Sequence, residues 1–393
     1  MNYKFSHKLD GLKPSAIREI LKYSSKSDVI PFSAGNPPSE AFPINDIQKI
    51  TNDILKNKPV AALQYGVSEG YEKLRNYLKE DLSNRFDINC DSDVIIVSGA
   101  QQAIDLVTRT FCNCGDVVIC ENPTFIGAIT AFKSNNVNLV GVNLENNGVD
   151  VEKLEKAFKQ NPNAKIFYTI PNFQNPTGIT TSEEKRACIY NLAKKYGVIV
   201  LEDNPYGDLR FDDEDINPIK SLDDEGIVIY VGSFSKIFSP GLRVGYISAN
   251  NKITQKLVIL KQANDVHTNL LSQITVFDFL TKYDIKAHIN KLKKLYKHKY
   301  DLMNNCINKY IKGYKLNYIK PKGGLFIWLE LPESIDMLDF CNKAIKDHSV
   351  ALIPGNVFYI GQNIKSNAFR ANYSAPSDSQ IECGIKIIGN MLK

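Results

Sequence analysis

No run of 18 consecutive apolar residues occurs anywhere in the 393-residue chain, so no segment reads as a membrane-spanning helix. The opening MNYKFSHKLDG lacks the apolar core of a secretory signal, and a cytoplasmic location without membrane attachment is expected. Histidine is sparse, and His7, His267, His288, His298 and His348 fall at no ligand spacing. The eight cysteines include no C-x-x-C pair. Cys112, Cys114 and Cys120 sit around an expected helix end and the next strand, so the pattern suits free thiols in a reducing compartment rather than a metal site. The chain therefore reads as metal-free. Charge of one sign is not concentrated either: 48 Lys and Arg face 43 Asp and Glu, for a net +5. The richest basic stretch, KLKKLYKHKY (Lys291 to Tyr300), reads as the solvated face of a helix, and no nucleic-acid partner is expected. There is no internal repeat, no low-complexity tract and no helix-turn-helix pattern before residue 50.

What is present is the ordinary composition of a globular protein, 43% hydrophobic and 23% charged, at a length that suits two lobes. From about residue 93, short apolar runs alternate with helical patterns. DVIIVSG precedes AQQAIDLVTRTF, DVVICENP precedes TFIGAITAFKS, and VNLVGVNL precedes VEKLEKAFKQ. KIFYTIPN leads to SEEKRACIYNLAKKYG, and VIVLEDNP, IVIYVGSFS and RVGYISA follow. This alternation predicts an α/β lobe with a mainly parallel seven-stranded sheet flanked by helices. Such sheets hold ligands at the carboxyl ends of their strands, where the polar runs Ser98 to Gln102, Asn172 to Asn175, Asp203 to Tyr206 and Ser233 to Lys236 all fall. Beyond about residue 275 a long helical stretch gives way to GGLFIWLELP, VALIPGNVF and AFRANYS, which predict a smaller α+β domain. The expected division is an N-terminal segment over 1–50, a large domain over 51–275 and a small domain over 276–393.

The stretch IVIYVGSFSKIFSPGLRVGYI (Ile227 to Ile247) leaves a buried strand and at once presents small hydroxyls, Lys236 and Arg243. These residues become intelligible if Lys236 forms an imine with an aldehyde cofactor that also carries a phosphate. Ser233 and Ser235 would donate to phosphate oxygens, and Arg243 would add a planar cationic fork. Gly99 and Ala100 of SGAQQ stand at a strand-to-helix turn, where free N–H groups and the helix dipole favour an anion, and Gln101 can add a side-chain donor. Pyridoxal 5'-phosphate also needs a carboxylate to keep its ring nitrogen protonated, and Asp203 at the end of VIVLED suits that task. Tyr206 and Asn175 can bond the ring hydroxyl, and Phe125 of NPTFIGA can cover the ring face.

Taken together, SAIREIL, FSAGNPPSEAFP, LQYGVSEGYEKLR, SGAQQAIDL, PNFQNPTG, LEDNPYGDL, GSFSKIFSPGLRVGY, KGGLFIWLELP, PGNVF and FRANYS make the chain resemble a class I/II, fold-type I pyridoxal-phosphate aminotransferase over nearly its whole length. The resemblance is strongest to the branch holding 2-aminoadipate and kynurenine/aminoadipate aminotransferases and the enzyme-like half of certain bacterial transcription regulators. It implies that Lys236 is the imine lysine and the acid/base for the substrate α-proton, with Asp203 on the pyridinium and Tyr206 and Asn175 on the ring oxygen. It further implies that Arg370 clamps the substrate α-carboxylate, with Gly35 and Asn175 nearby. Tyr65 would reach the phosphate of the neighbouring subunit of a homodimer, and Arg18, on a movable N-terminal helix covering the substrate, would face a distal carboxylate. Two positions depart from the family pattern: Phe125 stands where Tyr is common, and Ala100 where Ser or Thr often adds a hydroxyl. The expected reaction transfers an amino group from an aminoadipate, aromatic or branched-chain donor to a 2-oxo acid, 2-oxoglutarate, in ping-pong fashion. A pyridoxal-phosphate lyase or decarboxylase is the first alternative. A non-catalytic sensor is the second, disfavoured because no DNA-binding segment precedes the enzyme-like region.

Overall fold

In the computed structural model, which describes residues 3–6, 9, 28–88, 92–211, 215–312, 316–361 and 364–393, two sheets organise the chain. The larger contains β1 (Ser92–Val97), β2 (Val117–Asn122), β3 (Asn138–Glu145), β4 (Gly148–Val149), β5 (Ala164–Thr169), β6 (Ile199–Asn204), β7 (Val228–Ser233) and β8 (Gly245–Asn250). Their order is β1-β8-β7-β6-β5-β2-β3-β4. The five strands β7, β6, β5, β2 and β3 run parallel, while β8 is antiparallel to both of its neighbours. The seven expected strands are all present. The eighth, β4, is a two-residue strand that turns back on the end of β3 and is too short to leave a periodic signal.

Helices α1 (Ile44–Asn57), α2 (Pro59–Leu63) and α3 (Glu72–Phe86) precede the sheet. The strands are joined or followed by α4 (Ala100–Phe111), α5 (Ile126–Ser134), α6 (Val151–Gln160), α7 (Glu183–Tyr196), α8 (Asn251–Asn264) and α9 (Leu270–Lys282). Alternation along the buried strands sends side chains to two helical layers. Ile166 and Tyr168 of β5 join the core that contains Ala103, Ile104 and Val107 of α4, whereas Phe167 joins Leu154 and Phe158 of α6 and Ile189 of α7. Helix α7 shows why the local sequence stops and starts where it does. Ser182 caps its N-terminus by accepting from Lys185 N, and Gly197 ends it at a left-handed φ of 67°. Glu183 and Glu184 occupy its first turn and Lys194 and Lys195 its last, complementing the helix dipole.

The smaller sheet is antiparallel and combines β9 (Phe326–Glu330), β10 (Ile353–Pro354) and β11 (Ala368–Asn372) in the order β10-β11-β9. The long helix α10 (Ile285–Tyr310) leads to it, and α11 (Met337–His348) and α12 (Asp378–Met391) complete that part. The basic stretch from Lys291 to Tyr300 is helical, within α10, but not wholly solvated: Lys299 is buried and donates to Pro376 O at 2.7 Å. The N-terminal segment joins this smaller unit through its backbone. Ile30 N donates to Ser349 O, Ala351 N to Ile30 O, and Asn372 N to Phe32 O. These bonds carry Ser33 to Asn36 to the edge of the large sheet.

Candidate active site

The carboxyl ends of the parallel strands open onto a cavity of about 360 Å³ that lies between the two sheets. Its floor comes from the large sheet, and its far wall includes Ser33, Gly35, Phe326, Ile353 and Arg370. Alternation at the end of β6 decides which of two adjacent acids faces it. Glu202 turns away and accepts from Ile219 N and Lys220 N, both at 2.8 Å, while Asp203 lines the cavity. Asp203 is 2% exposed. Its Oδ2 accepts the Tyr168 hydroxyl at 2.8 Å, but its Oδ1 is buried without a partner. Burial pushes this carboxyl up to about 7 despite the hydrogen bond from Tyr168, with Glu121 adding to the rise and Lys236 opposing it.

Lys236 follows β7 and donates from Nζ to Gly35 O at 2.8 Å. Burial lowers its ammonium to about 8, aided by Arg370 and Arg243 and opposed by Asp203. The amine is thus far easier to deprotonate than an ordinary lysine, with the charged form still in the majority at neutral pH.

One end of the cavity has the donors of an anion site. Gly99, at φ 81°, opens α4; its own N–H donates to Val97 O at 2.8 Å and Gln102 N to Gly99 O at 3.1 Å, which leaves the N–H groups of Ala100 and Gln101 without intrahelical partners. A side chain at Gly99 would collide with the guanidinium of Arg243. Arg243 donates to Ser98 O at 3.1 Å and to Pro240 O at 3.3 Å. Ala100, Gln101, Ser233, Ser235 and Arg243 line this end together, and Ser233 Oγ accepts from Ser235 N at 3.2 Å. Gln101 differs in detail from its expected role as a side-chain donor. Its amide nitrogen donates to Gly127 O at 2.8 Å, so the side chain ties α4 to α5.

At the opposite end Arg370 projects from β11. One terminal nitrogen donates to Asn175 Oδ1 and the other to Ser33 O, both at 2.9 Å, and its Nε is buried without a partner. The guanidinium carbon lies 4.1 Å from the centre of the Phe326 ring and 5.2 Å from that of Phe358. Burial lowers its pKa to about 10, which leaves it charged at neutral pH. Between these ends, Asn175 Nδ2 donates to the Tyr206 hydroxyl at 3.4 Å, and Phe125, the residue before α5, presents its ring to the cavity.

The chemistry of this donor set fits pyridoxal 5'-phosphate. A buried carboxylate oxygen without a partner suits a protonated ring nitrogen, the lysine with its lowered pKa suits an aldehyde, and the helix turn with Arg243 suits a phosphate. Tyr65 does not line this cavity; it is 82% exposed and meets His267 edge-on at 5.9 Å. Arg18 lies outside the described residues. Of the run Asn172 to Asn175, only Asn175 lines the cavity; Asn172 accepts from Arg186 at 2.7 Å behind it. The sequence reading missed Tyr168, Ser33 and Phe326. A polar-tipped residue closing the apolar run IFY could have singled out Tyr168, whereas Ser33 acts on Arg370 through a backbone carbonyl that no side chain announces. Among the described residues there is no metal-competent group of three or more His, Cys, Asp or Glu, and no helix is long and apolar enough to cross a membrane.

Comparison with known proteins agrees with this geometry. Residues 27–388 match the family model described as aminotransferase class I and II. The chain is 40% identical to aromatic-amino-acid aminotransferase 1 of Thermococcus litoralis, over 99% of this chain and 94% of that protein. It is similar to the crystal structure of Pyrococcus horikoshii kynurenine aminotransferase in complex with PMP, with KYN as substrates and KYA as products, at a TM-score of 0.93 and 38% identity, covering 99% of this chain and 98% of that one. It is likewise similar to the α-aminoadipate aminotransferase of Thermus thermophilus complexed with N-(5'-phosphopyridoxyl)-L-leucine, at a TM-score of 0.90 and 32% identity, covering 99% and 97% of the two chains.

Proposed function

The chain belongs to the class I and II aminotransferases and uses pyridoxal 5'-phosphate, and from that premise we propose that it transfers an amino group from an aromatic, aminoadipate-type or branched-chain L-amino acid to 2-oxoglutarate in a ping-pong cycle. The observation that carries this reading is the meeting, in one cavity, of three groups: the unpartnered Oδ1 of Asp203, the Lys236 amine, and Arg370 with its unpartnered Nε. The range of donors rests on the aromatic, kynurenine and aminoadipate activities named for similar proteins.

When bound, the cofactor supplies an electron sink for the bond broken at the substrate α-carbon. Asp203 holds a proton on the ring nitrogen, and its burial removes competing water. Lys236 Nζ, whose pKa burial lowers to about 8, would act as the acid/base that takes the substrate α-proton. Asn175 and Tyr206 would hold the ring oxygen, and Phe125 would cover the ring face. The N–H groups of Ala100 and Gln101, the hydroxyls of Ser233 and Ser235, and Arg243 would form the phosphate cup; the Gly99 N–H is already given to Val97 O at 2.8 Å, so Gly99 would serve by its turn and not as a donor. Arg370 grips the α-carboxylate, oriented by Asn175 and Ser33 O and with Gly35 beside it. In a homodimer, Tyr65 serves the phosphate of the other subunit, and Arg18 meets the distal carboxylate of 2-oxoglutarate.

A panel of amino-acid donors, each assayed with and without 2-oxoglutarate, tests the reading through glutamate formation. Turnover should require the oxo acid and yield equimolar glutamate and donor-derived oxo acid. Product formation that continues without an acceptor would overturn it in favour of a lyase.

A further inference from the structure

Behind the proposed phosphate cup lies a half-buried polar cluster, built on the buried Lys261, that no step above uses. Lys261, on α8, has a completely buried side chain. Its ammonium donates to Asp265 Oδ1 at 2.7 Å, to Thr268 Oγ1 at 3.0 Å and to Gln102 Oε1 at 3.2 Å. Asp265 also accepts from Gln102 Nε2 at 2.7 Å and from Ser98 Oγ at 3.0 Å. Gln102 Oε1 in turn accepts Ser98 N at 2.7 Å. Each polar group of Ser98 is therefore held: its N–H by Gln102, its hydroxyl by Asp265 beside Thr268, and its carbonyl by Arg243 at 3.1 Å.

Ser98 immediately precedes Gly99, where the chain enters the first turn of α4. A buried ammonium with its charge partner is costly to desolvate, and the expense of one wrong geometry makes such a pair rigid. We propose that the Lys261–Asp265 pair is a positioning device for the phosphate cup: acting through Gln102 and Ser98, it fixes the Gly99–Gln101 turn and presents Arg243 at the distance a phosphate requires. Neither residue lines the cavity, so each acts only through others. Gln102 and Ser98 couple the two halves of the cup, because one hydrogen-bonded unit sets both the N–H groups of α4 and the direction of the Arg243 fork. The inference rests on the phosphate cup assigned above.

The test measures equilibrium binding of pyridoxal 5'-phosphate and of pyridoxal, which lacks the phosphate, to cofactor-free protein. Lys261→Met keeps most of the unbranched side chain and removes its charge and donors. It should weaken pyridoxal 5'-phosphate by roughly 10- to 100-fold, the span of one lost charge-assisted hydrogen bond, and leave pyridoxal binding within about twofold. Should this variant fail to fold, Ser98→Ala, which severs only the hydroxyl link, should still weaken the phosphorylated form by roughly 3- to 10-fold. Equal losses for both ligands, or no loss for either, would overturn the proposal. Arg243→Gln separates this inference from the cup itself. If Arg243→Gln shows no phosphate-selective loss, the cup is wrong; if it does and Lys261→Met and Ser98→Ala do not, only the positioning role falls.

Discussion

The Tyr168 hydroxyl donates to one oxygen of Asp203 at 2.8 Å and leaves the other oxygen of this cavity-lining residue buried and unpartnered. Two adjacent parallel strands, β5 and β6, create this relationship, and it orients the carboxylate before any ligand arrives. The unpartnered oxygen carries a desolvation cost that a protonated ring nitrogen would offset.

Asp203→Asn should keep most of its cofactor and lose turnover by about 3 kcal/mol or more in barrier, because the ring nitrogen is no longer held protonated. The cofactor-free protein should show a matching pH effect. The Asp203 carboxyl rises from an ordinary 3.8 to about 7 on folding. Between those values the unfolded chain has released the proton and the folded chain keeps it, so stability falls as pH rises. The Asn variant lacks this contribution, and its Tm relative to wild type should climb from about pH 4 to about pH 7. Thermal melts of both cofactor-free proteins across that window, with steady-state rates at saturating cofactor, check the two outcomes; parallel melts would remove Asp203 as the titrating group.

Tyr168→Phe removes a hydrogen bond that lowers the Asp203 pKa and leaves both carboxylate oxygens unsatisfied. The carboxyl should then hold its proton to higher pH, so the acid limb of kcat/KM should move upward, with a loss of roughly tenfold near neutrality for about one hydrogen bond. A kcat/KM profile with an unmoved acid limb would show that the tyrosine serves packing alone.

Tyr65 is exposed on the isolated chain and rests only its edge on His267. If it completes a second subunit's phosphate site, Tyr65→Phe should cost about 1.5–3 kcal/mol in cofactor affinity. Mixing Tyr65→Phe subunits with Lys236→Ala subunits should regenerate one intact site per mixed dimer, and activity should rise above that of either parent. No gain on mixing would place Tyr65 in its own subunit's chemistry or in none.

The described residues that line the cavity include three cations, Lys236, Arg243 and Arg370, each with a proposed task at the cofactor or α-carboxylate. A distal carboxylate needs another. Arg18→Ala should therefore raise KM for 2-oxoglutarate and glutamate at least tenfold, about 1.4 kcal/mol of binding, and hardly change KM for an aromatic donor. Steady-state constants for both substrate classes decide it, since equal increases would indicate general damage to the N-terminal region.

The strand-helix alternation was legible because parallel strands buried on both faces must read as short apolar runs. Strands of one direction share one carboxyl edge, so Asp203, Asn175 and Lys236 could be grouped from their positions after those runs. Gly99 was legible for a local reason, its place between an apolar run and a helical pattern; the structure adds its left-handed φ and the Arg243 guanidinium packed against it. Eight strands rather than seven were not, because the two residues of β4 have no period to read.

By itself, then, the sequence determined which side chains could do the chemistry and which edge of the sheet would hold them. Only the tertiary structure decided how each is oriented. Arg370 is held by Ser33 O, 337 residues away, and Lys236 by Gly35 O, 201 residues away. A backbone carbonyl is the same chemical group at every position, so no pattern of side chains marks the one that a folded chain will present. Lys261, Asp265 and Ser98 are likewise unremarkable as letters. Their meeting requires α8 to lie beside α4, and the cost of leaving a buried charge unpaired then turns that proximity into a fixed geometry.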